Sequence, residues 1–440
     1  MVPVALFWFR RDLRLHDNAG LCAALRSGLP IVPVFIFDPK ILSSLDADDR
    51  RVSFIYSALE ALQEQLVAAG TTLQVLHDEP LKAFATLCGR YHVAAVYTNE
   101  DYEPYARQRD AAVAAELGRQ GIAFLSFQDQ VLQAPGAVQK EGGGYYQVYT
   151  PFYRRWQALL TDACLKPHPS EQLAGAFHRE PVGTWPSLAQ LGFRKNPVHA
   201  VSPCLPAETL LRSYHDTRNL PAIAGTTRLG VHLRFGTVSI RALARQALDT
   251  SETFLKELAW REFFMQLLAQ EPRLVSESFR KEYDAIDWRQ DEEAFGRWCA
   301  GTTGYPLVDA GMRELQATGF MHNRVRMVTA SFLVKHLLID WRRGEAHFAR
   351  LLLDFDLSSN NGNWQWVAGC GCDAAPYFRV FNPQLQAARF DPDGAYVRQW
   401  VPEWGTSAYP NPIVDHKKAV ARCVAVYKKA LAREQLALFP

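Results

Sequence analysis

Val4-Ala-Leu-Phe-Trp-Phe9-Arg-Arg-Asp-Leu-Arg14 opens the chain with a run of apolar residues and then a basic turn. A short apolar run rich in aromatic and β-branched residues reads as a strand buried on both faces, as in a parallel sheet. Four similar runs follow at Ile31–Phe37, Thr72–His77, Ala94–Asn99 and Ile122–Phe127. Between the second and third, Val52, Ile55, Tyr56, Leu59, Leu62 and Leu66 recur at helical spacing and give one apolar face. Strands alternating with amphipathic helices predict an α/β N-terminal domain over residues 1–130, an open parallel sheet of Rossmann-like build. The turn after the first strand has no glycine fingerprint, which argues against an ordinary NAD site there.

Beyond residue 130 the alternation lapses. Residues 165–206 contain seven prolines in 42 positions, where about two would follow from ~5% usage, so 131–206 reads as a long connector. From Leu205 onward the periodicity is helical, near 207–217, 237–248, 253–271, 305–319 and 321–341. Residues 207–440 are therefore expected to form an all-α domain. A chain of 440 residues exceeds one compact core. Its 48% hydrophobic and 21% charged residues exclude a disordered or fibrous protein. Eight scattered cysteines suit a reducing compartment. Arg10 and Arg11 follow the first apolar run rather than precede it, unlike a secretory leader. No apolar stretch is long enough to span a bilayer. These features predict a soluble cytoplasmic protein with no membrane contact. The net charge of +2 hides an asymmetry: residues 1–130 hold 12 Lys+Arg against 16 Asp+Glu, and residues 131–440 hold 36 against 30. The second part can accept a polyanion. Eight of the 11 tryptophans lie at or beyond Trp260.

Several stretches of the helical part carry chemistry. In Glu257-Leu-Ala-Trp260-Arg-Glu-Phe-Phe264, Glu257 and Trp260 are three apart and stand side by side on a helix. A carboxyl beside an indole suits a planar polar ligand, although an amphipathic helix with one core tryptophan has the same spacing. Met321-His-Asn-Arg-Val-Arg-Met327 opens a long helix on which Asn323 and Met327 share a face with Arg326 beside them. Polar residues there also serve as caps, and His322 reads as structural. Asp354-Phe-Asp356-Leu-Ser-Ser-Asn360-Asn361-Gly-Asn-Trp364-Gln-Trp366 gathers carboxylates, amides and two indoles that would need many partners if buried. Gly225-Thr-Thr-Arg-Leu-Gly230 offers hydroxyls and backbone N–H groups ahead of a helix, as a phosphate cradle does. Cys370-Gly-Cys372 has no second pair at ligand spacing and reads as packing, so no metal is expected.

Together these segments resemble the photolyase/cryptochrome family of flavoproteins, and within it the class I DNA photolyases for cyclobutane pyrimidine dimers. The likeness runs from Phe9–Arg14 with Asp17-Asn18, through Glu257–Phe264 and Gly304-Tyr-Pro-Leu-Val-Asp-Ala-Gly-Met-Arg313, to Met321–Met327, Asp340-Trp341-Arg and Asn360–Trp366. The resemblance implies FAD held in the helical domain. Tyr214, Thr226, Thr227, Arg228 and Leu229 match the family's phosphate-side run, and Gly230 stands where a serine is usual. Arg261 joins the cofactor-binding set; Arg326, Asp354, Asp356 and Asn360 match groups around the isoalloxazine, with Asn360 facing N5. Glu257, Trp260, Asn323, Met327 and Trp366 match the pocket for a flipped-out dimer. Trp298, Trp341 and Trp364 match an electron-transfer chain from surface to flavin, and Arg218 and Arg324 match DNA-binding positions. Arg51 and Asp101 are similar to a deazaflavin-binding branch of antenna sites, with methenyltetrahydrofolate or FMN as the alternatives.

The activity implied is electron transfer from photoexcited FADH⁻ to the dimer in UV-damaged DNA, by a monomer with no obligate protein partner. A cryptochrome-type blue-light photoreceptor is the alternative; Asn360 differs from the aspartate of plant cryptochromes. A (6-4) photolyase would carry a histidine at Asn323. A generic flavin oxidoreductase would need a second substrate site, for which no motif stands.

Overall fold

The computed structural model describes residues 2–437. Five strands form one parallel sheet: β1 (Val4–Phe9), β2 (Ile31–Phe37), β3 (Gln74–His77), β4 (Val93–Asn99) and β5 (Ala123–Phe127), in the order β3-β2-β1-β4-β5. The strand order reverses between β1 and β4, the arrangement of a doubly wound sheet. In-register pairs such as Ala5↔Ile31 and Leu6↔Val96 bury β1 and β2 along their whole length. This is why both strands read as continuous apolar runs. β3 begins at Gln74 instead of Thr72, and β5 is half-exposed at the edge.

The chain divides into two compact units, and their boundaries differ from the expected 1–130, 131–206 and 207–440. Residues 1–139, 154–205 and 228–249 form the α/β unit; residues 140–153, 206–227 and 250–440 form the other. Packing explains the reassignment of 228–249. Arg241 is buried and bonds Asp17 Oδ1 at 2.9 Å and Asp129 Oδ1 at 2.7 Å, while Arg14 bonds Asp129 Oδ2 at 2.7 Å. Such a buried ionic network persists only when every charge is paired. Gly236 (φ 64°) approaches so closely that a Cβ there would lie 2.1 Å from the Arg11 carbonyl oxygen. The basic turn after β1 is therefore a structural joint of the α/β unit. The segment read as a connector is also partly structured, with a helix at Tyr149–Ala158.

The second unit has no strand among the described residues. Its core runs through the helices Glu292–Ala300, Pro306–Thr318, Asn323–Ser331, Trp341–Leu351 and Leu357–Ala368, with His416–Ala437 packed alongside. The long helix expected over 321–341 is broken. It passes into a π-helical turn at Phe332–Leu337 and stops where Leu338 takes φ 55°. Lys335, inside that turn, donates to Ala368 O at 2.8 Å. No helix among the described residues is long and apolar enough to cross a membrane.

Candidate active site

A cavity of about 360 Å³ opens in the helical unit, within the roughly 300–1,000 Å³ range of small-molecule sites. Four helices line it. Glu252–Gln270, capped by Ser251, presents Glu257, Trp260, Arg261 and Phe264. Asn323–Ser331, capped by His322, presents Asn323, Arg326, Met327 and Ala330. Leu357–Ala368, capped by Asp356, presents Ser359, Asn360, Asn363, Trp364, Trp366 and Val367, and Trp341–Leu351 adds Phe348. Arg218 and Asp354 complete the polar lining.

The polar groups are held in defined positions. Arg326 donates to Asp354 at 2.9 and 3.1 Å and to Met321 O at 2.7 Å. Asp356 accepts from Ser359 N at 3.1 Å, so one of its oxygens caps the helix that carries Asn360. Asn360 donates through Nδ2 to Glu345 Oε1 at 2.8 Å, which fixes the amide's orientation. Burial raises the pKa of Glu345, against the Asn360 hydrogen bond. Arg218 donates to Glu257; burial raises the Glu257 pKa and the guanidinium opposes it. Trp260 is stacked on Tyr149, with ring centroids 3.6 Å apart and planes within 6°. Tyr149 in turn donates to Lys256 O at 2.7 Å. One indole face is therefore taken by protein.

An ionic pair, a fixed amide, three indoles and a paired carboxylate in one cavity make a site for a large, planar, polar aromatic ligand. The comparisons with known proteins agree. Residues 5–172 match the family described as DNA photolyase, and residues 254–407 match the FAD binding domain of DNA photolyase. A deoxyribodipyrimidine photo-lyase of Synechococcus sp. is 38% identical over 98% of this chain and 98% of its own.

The chain belongs to the DNA photolyase family.

A photo-lyase of the same name from Escherichia coli K12 is 36% identical over 97% of this chain and 98% of its own. Among solved structures, a bacterial class III photolyase from Agrobacterium tumefaciens superposes with a TM-score of 0.87 at 35% identity, covering 98% of each chain. A cryptochrome from Synechocystis gives 0.82 at 27% identity, covering 96% of this chain and 99% of its own.

The cavity brings together Arg218, Glu257, Trp260, Arg261, Asn323, Arg326, Met327, Asp354, Asp356, Asn360, Trp364 and Trp366. Other expected residues lie elsewhere. Tyr214 is buried with its ring 5.4 Å from Phe254. Thr226 and Thr227 end one segment of the helical unit, whereas Arg228, Leu229 and Gly230 begin a segment of the α/β unit. Arg324 is half-buried, donates to Asn219 Oδ1 at 2.7 Å and lies over the Phe390 ring. In the α/β unit, Arg51 pairs with Asp49 and Asp101 with Arg11, so both expected antenna residues are engaged by protein partners. Burial works against ionised Asp101, but Arg11, Arg10, Arg234 and Arg109 hold its pKa below the ordinary value.

The tryptophan series needs one correction. Trp298 was expected toward the surface, but it is 0% exposed and donates through Nε1 to Thr329 O at 3.0 Å. It stands 6.2 Å from Trp364, ring to ring, so it is an interior neighbour and not an exit. Trp288 is a half-buried indole against the same core. Trp341 is buried one turn before Gly344, whose backbone abuts the Trp364 ring. Tyr149 and Glu345 escape sequence reading altogether. Tyr149 lies in the segment read as connector, and the Glu345–Asn360 bond joins two different helices. Cys370 and Cys372 are buried thiols bonded to Gln365 O and Gln147 O, and no cluster of metal ligands occurs among the described residues.

Proposed function

We propose that this chain splits cyclobutane pyrimidine dimers in UV-damaged DNA, using light and a reduced FAD bound in the helical unit. The observation that carries the reading is the shared cavity. It combines the expected flavin set, Arg326, Asp354 and Asn360, with the expected lesion set, Glu257, Trp260, Asn323, Met327 and Trp366. Held by Arg326, Asp354, Asp356 and Asn360, a reduced FAD would supply light-driven electron-transfer chemistry to the dimer.

The chain's own residues bind, orient and exclude water. Arg326, paired with Asp354, supplies a guanidinium suited to an anionic ring, and Asn360, tied to Glu345, offers a fixed amide. Trp260, backed by Tyr149, and Trp366 form an apolar wall for the flipped-out dimer. Glu257 and Asn323 meet the base edges. Lesion entry displaces Arg218 from Glu257 and frees the carboxyl for a base edge. Arg218 and Arg324 bind phosphates. Tyr214, Thr226 and Thr227 serve the cofactor phosphates, and Arg261 the flavin. Trp364, Trp341 and the half-buried Trp288 return electrons to an oxidised flavin. An antenna chromophore, deazaflavin by preference, occupies the α/β unit near Arg51 and Asp101. A monomer in a reducing cytoplasm suits eight free thiols.

The test is a thymine dimer in an oligonucleotide, exposed to blue light with the reduced protein, beside a dark control. Light-dependent splitting is expected. An intact dimer with flavin bound and reduced would move the assignment to a signalling photoreceptor.

A further inference from the structure

Trp298 poses a problem in proton chemistry. It is close enough to the cavity-lining Trp364 to exchange an electron, at 6.2 Å between ring centroids. Yet it is fully buried, and its indole N–H is bonded to a carbonyl oxygen, Thr329 O. A carbonyl is no base, so an oxidised Trp298 cannot discharge its proton there. Its hole must return or be filled by another donor.

His347 also neighbours Trp298, with ring centroids 5.4 Å apart and planes at 58°. His347 Nδ1 is 3.6 Å from Cys299 Sγ, within hydrogen-bond reach for sulfur. Its Nε2 is buried with no hydrogen-bond partner. Burial, aided by Arg350, lowers the His347 pKa to about 4, so the ring is neutral at pH 7. Burial raises the Cys299 thiol to about 11, against Arg343, so the shared proton rests on sulfur. A neutral thiol gives up an electron readily only if its proton leaves too, and the imidazole is placed to take it. Cys299 is half-buried where Trp298 is fully buried, so the series leads outward.

We propose that Cys299 and His347 form a proton-coupled electron donor to Trp298, a branch of the photoreduction route that ends on sulfur. One electron passes from Cys299 to oxidised Trp298 while the S–H bond breaks and the proton moves to His347 Nδ1. Trp298 returns to its closed shell, leaving a thiyl radical and an imidazolium. The oxidising equivalent is the hole left when photoexcited oxidised flavin takes an electron through Trp364. This inference rests on the flavin reading given above.

The whole flavin-bound chain, with flavin oxidised, is illuminated with blue light without oxygen and in the presence of a nitrone spin trap, then digested and mapped by mass spectrometry. A light-dependent adduct on Cys299 is expected, absent in the dark and when flavin is chemically reduced beforehand. Trp298→Phe and His347→Gln should each cut that adduct several-fold. Cys299→Ser, a mild change at a half-buried position, should abolish it and lengthen the tryptophan radical signal in transient absorption. Loss of the oxidised flavin band with no adduct on Cys299 overturns the branch while leaving the functional reading intact. So does an adduct that survives Trp298→Phe, or one equally strong on the exposed Cys204. A protein that binds no flavin overturns both.

Discussion

Lys335 is 1% exposed, donates to Ala368 O at 2.8 Å and sits 4.0 Å from the centre of the Tyr427 ring. Carbonyls and an aromatic face stabilise an ammonium less than water does, and burial lowers its pKa to about 8 from 10.5. Between those values the unfolded chain holds a proton that the folded chain has released. The folded state therefore gains stability as pH rises through that window. Urea unfolding of wild type against Lys335→Met should show the difference: from pH 7 to 9.5 the wild type gains ~2 kcal/mol on the variant. Parallel pH profiles would mean that Lys335 titrates normally. Glu257 supports a second prediction of the same kind. Glu257→Ala should leave FAD bound but weaken dimer binding by about 1.5–3 kcal/mol, the worth of a hydrogen bond to a charged group. A titration of dimer-containing oligonucleotide against the flavin spectrum checks both halves. Unchanged affinity for the dimer would remove Glu257 from the lesion pocket.

The helices Trp341–Leu351 and Leu357–Ala368 meet at a glycine. A Cβ on Gly344 would lie 2.2 Å from Trp364 Cη2 and 2.5 Å from Leu333 Cδ2, both in a closed core. Gly344→Ala must push the Trp364 ring toward the cavity. It should destabilise the protein by about 1–3 kcal/mol, as overpacking does, and lower flavin content. Gly296→Ala is the control, because a Cβ there meets nothing within 4 Å. Thermal melts with the ratio of flavin to protein absorbance test the pair; equal behaviour of the two variants would show that Trp364 yields without cost. This crossing also marks how far the sequence can be read. Strand periodicity placed β1 and β2 to the residue, because a buried strand needs nothing but apolar side chains. The Asn360–Trp366 stretch could be recognised because so many polar and indole groups in a row cannot be mere packing. The break at Leu338 left no trace, since Phe332–Leu337 continues the apolar helical pattern while the backbone takes a π turn. Nor could spacing reveal that Trp298 is sealed or that Tyr149 backs Trp260, because both facts arise from contacts between distant segments.

Charge is distributed over the whole molecule in a way that bears on its partner. Residues 131–440 carry the excess of Lys+Arg, 36 against 30 Asp+Glu. Within that part Arg324 shows the local consequence. Burial lowers its pKa, and repulsion from Arg218 and Arg389 adds to the effect. Three guanidiniums held near one another in the folded state are relieved by an anion. A nucleic-acid backbone offers repeated anions, and binding it releases condensed counterions. For duplex DNA, the slope of log affinity against log salt is about −0.9 for each phosphate neutralised. Arg324→Ala should therefore reduce the magnitude of that slope by roughly one. It should weaken damaged and undamaged DNA by the same factor, because a phosphate contact carries no information about the lesion. Glu257→Ala should do the reverse, leaving the salt slope unchanged and reducing only the preference for the dimer. Filter-binding or fluorescence-anisotropy titrations at several salt concentrations, with both DNAs and both variants, separate the two roles. If Arg324→Ala alters the preference for damage without touching the slope, Arg324 belongs to the pocket. If neither slope nor affinity moves, its bonds to Asn219 and the Phe390 ring are its whole function.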